Sequence, residues 1–168
     1  MAELKRFAIV SFGPYRFMGK TVYAPPGSGE IFGALWGDSA EIFSQLDALS
    51  EYATQENHNV AYMNWDSSKN LLGYTVGRFM KAGAPVPDGL DALEIPAQLV
   101  AEAWVEGEFN DMISDAPNLT EKAIASQEDY EINWSEAFVG AEVYSKETIA
   151  EDGVYSVLGY YIPCRKKS

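Results

Sequence analysis

A glutamate near the end of the chain is the residue whose surroundings raise a chemical question. Glu142 stands close to the start of AEVYSKETIAEDGVYSVLGYYIPC, residues 141–164, a segment rich in valine, tyrosine and isoleucine. A solvent-facing position on a strand would accommodate the carboxylate at little cost. A carboxylate that faced the interior would need a partner, because burying an unpaired charge is costly, and a bound ligand could be that partner.

Aromatic side chains are the second group of residues that could bind a ligand. The chain has four tryptophans and ten tyrosines, more than a small core needs. Each tryptophan alone is explained most simply by a core position, but aromatic faces also attract flat cations. With Glu142, we therefore predict a ligand site lined by Trp36, Tyr62, Tyr74, Trp104, Trp134 and Tyr160.

Several classes of catalytic and metal site are unsupported by the composition. Cys164 is the single cysteine and His58 the single histidine, which excludes an internal disulfide and leaves little for a zinc site or a histidine-containing triad. The glycines of residues 24–32 lack the Lys-Ser/Thr of a phosphate-binding loop. We predict no catalytic set, no metal and no cofactor, with His58 in a loop and Cys164 inert.

Chain length and net charge limit the number of domains and the classes of partner. The 168 residues suit one domain over 1–168, and 12 basic against 25 acidic residues give a net charge of −13. This charge weighs against nucleic acid or an anionic membrane as partners and favours cations. The chain has no signal-peptide core and no membrane-length apolar run, so a cytoplasmic location is predicted.

Apolar periodicity and turn residues divide the chain into strands and helices. The first part is predicted to contain strands over 7–25 broken at Gly13-Pro14, a helix near 30–50 that Gly37 kinks or splits, and a hairpin over 59–83. The second part is predicted to contain a strand over 93–109, a helix near 119–136 and a hairpin over 141–164.

The second predicted helix has a specific start signal. Asn118 followed by Glu121 resembles a capping box. The preceding carboxylate-rich residues 106–115 are predicted to form a solvated lid or rim. The buried side of the helix is predicted to carry Ile124, Tyr130, Trp134 and Phe138.

The two hairpins resemble each other. Each has a strand, a polar turn and a strand with a Gly-Tyr pair, Gly73-Tyr74 in the first and Gly159-Tyr160 in the second. We therefore predict an α+β fold of duplicated β-α-β-β halves, about 7–83 and 93–164. The halves are expected to form one antiparallel sheet with two helices on one face and a central ligand cleft. In this alignment Glu142 takes the place of Tyr62.

The same segments carry a family resemblance. Tyr74 and Gly77 close one strand, Ile95-Pro96-Ala97 leads another, and AEVY and YYIPCRKK follow. This order resembles the GyrI-like small-molecule-binding domains, the effector domains of AraC- and MerR-type multidrug regulators, which also occur as stand-alone proteins. The resemblance implies an aromatic cleft with a glutamate, here Glu142, that meets cationic lipophilic drugs.

Three functions from different classes remain open. The first is a stand-alone binding protein for amphipathic, cationic aromatic small molecules. The second, which some stand-alone relatives imply, is a hydrolase of strained cyclopropane-type natural products that uses Glu142 as general base. The third is an acidic module that binds a basic protein partner. No helix-turn-helix precedes the domain in this sequence, so nucleic-acid binding by this chain alone is not expected.

Overall fold

A computed structural model describes residues 1–135, 137–145 and 157–168. These residues divide into two compact units. The central unit is Gly13–Ala97, and the terminal unit combines Met1–Phe12 with Gln98–Ser168.

Both units contain strands and helices. In chain order the strands are β1 (Glu3–Phe12), β2 (Tyr15–Ala24), β3 (Asn59–Asp66), β4 (Leu71–Lys81), β5 (Asp91–Ile95), β6 (Gln98–Glu106), β7 (Tyr130–Ile132), β8 (Phe138–Tyr144) and β9 (Val157–Lys166). The α-helices are α1 (Gly29–Ala34), α2 (Ser39–Asp47) and α3 (Phe109–Ala125), with 3-10 segments at Leu35–Asp38 and Ser50–Tyr52. In the described part of the chain, no helix has the length and apolar character needed to cross a membrane.

The central unit has the strand order β3-β4-β2-β5, with antiparallel pairing throughout. Helices α1 and α2 bury apolar side chains against one face of these strands, including Phe32, Ile42 and Leu46. Removing this apolar surface from water stabilises the unit. The 3-10 segment between α1 and α2 contains Gly37, so the predicted split of this helix is confirmed.

The terminal unit has the strand order β1-β6-β9-β8, again antiparallel. The short strand β7 pairs with the last residues of β9, beyond the part that pairs with β8. Helix α3 buries residues spaced four apart, which lie on one side of a helix. They are Met112, Ala116, Thr120 and Ile124.

Each unit contains one β-α-β-β arrangement, so the predicted duplication is confirmed. The central unit has β2, then α1 and α2, then β3 and β4, with β2 beside β4. The terminal unit repeats this arrangement with β6, α3, β8 and β9, and β6 lies beside β9. The α+β class with antiparallel strands is therefore confirmed.

The predicted bounds of the second long helix are wrong. Helix α3 begins at Phe109 rather than near 119, and it ends at Ala125 rather than near 136. Pro117 lies inside α3, although proline inside a helix removes a hydrogen bond and costs about 3 kcal/mol. The buried stripe of α3 offsets that cost, so Asn118 lies inside the helix instead of capping it.

Two further predictions fail because they depend on those helix bounds. Residues 109–115 form the first turns of α3, with Met112 fully buried, and are not a solvated lid. Tyr130 lies in β7 and Phe138 in β8, so neither belongs to the helix. The first predicted hairpin is confirmed as β3 and β4, while the turn of the second, residues 146–156, lies outside the described residues.

A glycine pair allows β2 and β4 to approach each other closely. Gly19 and Gly77 lie directly opposite in the register. A Cβ atom on Gly77 would overlap the carbonyl oxygen of Met18, and one on Gly19 would overlap that of Val76. Because both obstacles are backbone atoms, no side-chain rotation could relieve the overlap.

We predict that Gly77→Ala destabilises the protein by about 2–4 kcal/mol, because the strands must separate to admit a methyl group. The measurement is the free energy of unfolding in denaturant. Gly33→Ala on α1 is the matched control, since nothing lies within 4 Å of its added Cβ. That variant should be as stable as the parent or slightly more so. Equal stability of Gly77→Ala and the parent would contradict the account.

Candidate functional site

Strand β8 presents Gly140, Glu142 and Tyr144 on one face, since side chains alternate along a strand. Glu142 lies directly opposite Tyr160 of β9, and opposite residues of an antiparallel pair share a face. The Tyr144 hydroxyl donates a hydrogen bond to Glu142 Oε2 at 3.1 Å. These four residues form one group, which we call the Glu142 cluster.

Gly140 makes room for the tyrosine ring in this cluster. A Cβ atom at this position would lie 2.9 Å from the Tyr160 hydroxyl and 3.2 Å from its Cζ atom. The ring therefore lies across the glycine, on the face that Glu142 shares. A larger residue in place of Gly140 would push the ring away from the carboxylate.

The surroundings of Glu142 disfavour its negative charge. The side chain is half-buried, and Tyr144 and Tyr160 beside it are buried. Burial raises the pKa of Glu142, and the hydrogen bond from Tyr144 offsets part of that rise because it stabilises the ionised form. Neither cause is a basic side chain of the described residues, so the carboxylate has no protein cation as its partner there.

Tyr160 responds to the same surroundings. Burial raises its pKa far above the ordinary range, and the charges of Glu142 and then Glu121 raise it further. Glu121 belongs to α3, so a second carboxylate acts on this face of the strands. Tyr160 remains a neutral ring at physiological pH, beside a desolvated carboxylate.

Trp104 is not brought together with Glu142. It pairs with Gly159, whose added Cβ would lie 3.0 Å from the Trp104 ring and 3.0 Å from Val143 Cβ. Since Gly159 precedes Tyr160, Trp104 occupies the opposite face of the strands. There its ring meets Tyr161 edge-on, with the centroids 6.2 Å apart.

Trp134 also lies away from the Glu142 cluster. It is in the turn after β7, and 74% of its surface is exposed. It lines a cavity near the C-terminal end of α3. The prediction that it lines the buried side of a helix is wrong.

In the central unit, Trp36 and Tyr74 do come together. The Trp36 indole N–H donates a hydrogen bond to the Tyr74 hydroxyl at 2.9 Å. Phe32 stacks on Tyr74, with the ring centroids 5.1 Å apart. Trp36 is half-buried and Tyr74 is buried, so two predicted site residues form one aromatic group under α1.

Tyr62 lies on the other face of the central strands, where it stacks on Phe17 with centroids 5.2 Å apart. The register explains the difference. Tyr74 lies opposite Met63 in the first hairpin, as Tyr160 lies opposite Glu142 in the second. Met63, not Tyr62, therefore holds the place of Glu142, and the predicted equivalence is wrong by one residue.

Sequence reasoning missed two residues of this cluster and also the effect of Glu121 on Tyr160. Gly140 and Tyr144 are two positions from Glu142 on the same strand, so the alternation alone could have indicated them. Glu121 was noticed only as a capping residue, and no sequence signal linked it to Tyr160. Within the described part of the chain, no three potential metal-ligating side chains lie together.

Comparison with known proteins gives structural matches at low sequence identity. No protein-family model and no curated protein matches the chain. SAV2435, solved with bound tetraphenylphosphonium, matches with a TM-score of 0.69 at 7% identity over 96% of this chain and 94% of that one. An integron cassette protein from the mobile metagenome of Vibrio cholerae matches with a TM-score of 0.61 at 11% identity, over 98% and 99%.

A third match is EcmrR, solved in a complex with DNA. Its TM-score is 0.54 at 11% identity, over 96% of this chain and 58% of that one. At these identities the matches establish a shared fold. The chain therefore has the fold of a protein solved with a bound lipophilic cation and of part of a DNA-bound protein.

We predict that Glu142→Gln alters the pH dependence of stability. Because the pKa of Glu142 is raised by folding, the folded protein binds this proton more tightly than the unfolded chain does. Ionisation then costs stability as pH rises from the ordinary glutamate range through the folded pKa. The stability of Glu142→Gln relative to the parent should therefore increase with pH, as measured by denaturant unfolding at acidic and alkaline pH.

Glu41→Gln is the control for this measurement, because Glu41 is exposed on α2 and the change removes the same formal charge. Its stability relative to the parent should vary much less with pH. A flat profile for Glu142→Gln would show that ionisation of Glu142 is not coupled to folding.

Proposed function

We propose that this protein binds lipophilic, cationic aromatic small molecules, and that Glu142 supplies the charge contact. The observation that carries the proposal is the half-buried carboxylate of Glu142, whose pKa is raised by burial. Among the described residues, no basic side chain contributes to its pKa shift. A bound organic cation would favour the ionised form and supply the missing partner.

The neighbouring rings suit such a ligand. Tyr144 and Tyr160 are buried beside Glu142, and their faces can contact an aromatic or quaternary cation. Stacking requires less exact geometry than hydrogen bonding, so a cluster of this kind tolerates ligands of different outline. The Tyr144 hydroxyl holds one carboxylate oxygen in place for the contact.

The comparisons support the choice of ligand class. SAV2435 shares the fold and was solved with tetraphenylphosphonium, a large lipophilic cation. The sequence resemblance to GyrI-like domains points to the same class. The net charge of −13 also favours the approach of cations over anions.

Titration calorimetry with a matched ligand pair tests the proposal. Tetraphenylphosphonium carries the charge, and triphenylphosphine oxide is a neutral molecule with similar rings. Glu142→Gln should weaken phosphonium binding by about 1–3 kcal/mol, because two unit charges roughly 6–15 Å apart interact by this amount at an effective dielectric constant near 20. The neutral ligand should lose little, because its ring contacts are unchanged.

Two further measurements sharpen this test. Affinity of the parent for the phosphonium should rise with pH through the raised pKa of Glu142 and then level off, while Glu142→Gln should show no such rise. Glu3→Gln, at an exposed position on β1, controls for net charge and should bind as the parent does. Equal losses for the charged and neutral ligands would mean that Glu142 acts through structure.

A second candidate function is hydrolysis of strained-ring natural products. The observation that favours it is the same raised pKa, because a carboxylate with a pKa closer to neutral is a better general base for water. Incubation with cyclopropane-containing compounds should then give products heavier by one water, detected by mass spectrometry. Glu142→Gln should abolish that product while leaving substrate binding measurable. Binding without any product in the parent would exclude this candidate for the compounds tested.

A further inference from the structure

A cavity lies in the terminal unit, beside the C-terminal end of α3 and strand β7. Its volume is about 190 Å³. Apolar side chains of Ile124, Tyr130 and Ile132 line it, together with the indole of Trp134. We call it the Trp134 cavity. A cavity of about 150 Å³ is large enough to bind benzene, so this one has room for a single ring and a short arm.

The exposed tryptophan is the unusual component. Trp134 leaves 74% of its surface in solvent, although burying an indole is strongly favourable. Ile124 on the same cavity is 1% exposed, so the cavity combines a buried aliphatic floor with an open aromatic wall. Such a wall offers its face to a cation.

The cavity lining has two carboxylates, Glu121 and Glu131, and one ammonium group, Lys167, and Glu121 is the group that can bind a cation. Lys167 and Glu131 are both engaged. The Lys167 ammonium donates to the Gln127 carbonyl oxygen at 3.2 Å, and Glu131 forms an ion pair with Arg165 at 3.4 Å. Glu121, the remaining acidic residue of the lining, is exposed and forms no ion pair with the described residues.

We propose that the Trp134 cavity binds arylalkylamines, meaning one aromatic ring on a short primary-amine arm. The ring packs on Ile124 and Ile132, and burying it supplies the apolar contribution. The ammonium group lies between the Trp134 indole and the Glu121 carboxylate. No residue of the Glu142 cluster lines this cavity, although the charge of Glu121 also acts on Tyr160 of that cluster.

Phenethylamine is the probe, titrated into the full-length ¹⁵N-labelled protein and followed by NMR. The indole N–H signal of Trp134, assigned by its absence from Trp134→Phe, should shift in a saturable way. Glu121→Gln should weaken binding about two- to fivefold, as expected for an exposed ion pair. Trp134→Ala should weaken it by at least about threefold, because the cation–aromatic contact is lost.

Three controls decide the interpretation. Glu128→Gln removes a nearby exposed charge outside the cavity lining and should bind as the parent does. The neutral 2-phenylethanol should bind more weakly than the amine and should not respond to Glu121→Gln. If the alcohol binds as tightly as the amine, the charge contact is absent and the proposal is overturned.

The last control separates this site from the Glu142 cluster. Glu142→Gln should leave phenethylamine binding unchanged, and a loss as large as that of Glu121→Gln would overturn the proposal. Tetraphenylphosphonium, with four rings, is too large for a cavity of about 190 Å³. Its titration therefore tests the Glu142 cluster alone, and either proposal can fail without the other.

Discussion

The alternation of side chains along antiparallel strands decides which residues of this protein can act together. On β8 and β9 it places Glu142, Tyr144 and Tyr160 on one face. The same alternation sends Trp104 to the opposite face, one residue away in register. Because a shift of one residue exchanges the faces of a strand, the composition of the site depends on the register between β8 and β9.

The second organising feature is the partly desolvated carboxylate of Glu142. The half-buried carboxylate of Glu142 has a raised pKa, so it lowers the stability of the fold at pH values where it is ionised. Residues that break a local rule without stabilising the fold are typical of functional sites. Glu142 breaks such a rule, because its carboxylate costs stability when it is ionised.

The sequence was sufficient for the elements whose pattern is local. Alternation and turn residues identified β3 and β4, and the paired Gly-Tyr motifs identified the repeated strand order. Helix α3 was misplaced because the burial of Met112 and Ile124, which offsets the local cost of Pro117, is a tertiary effect. For the site, Glu142 could be chosen for its chemistry. The alignment of Glu142 with Tyr62 failed because the two strands differ by one residue in register, which only the paired strands reveal.

The pairing of the first strand with β6 has a consequence for the order in which the chain can fold during its synthesis. β1 ends at Phe12, and the partner residues of β6 begin at Gln98. At about 5–20 residues per second, the ribosome needs several seconds or more to deliver that partner. The central unit is one continuous segment, Gly13–Ala97, and can complete its pairing in that interval. The nascent chain therefore carries β1 as an unpaired strand while the central unit forms, and the terminal unit closes only when residues far downstream return to the beginning of the chain.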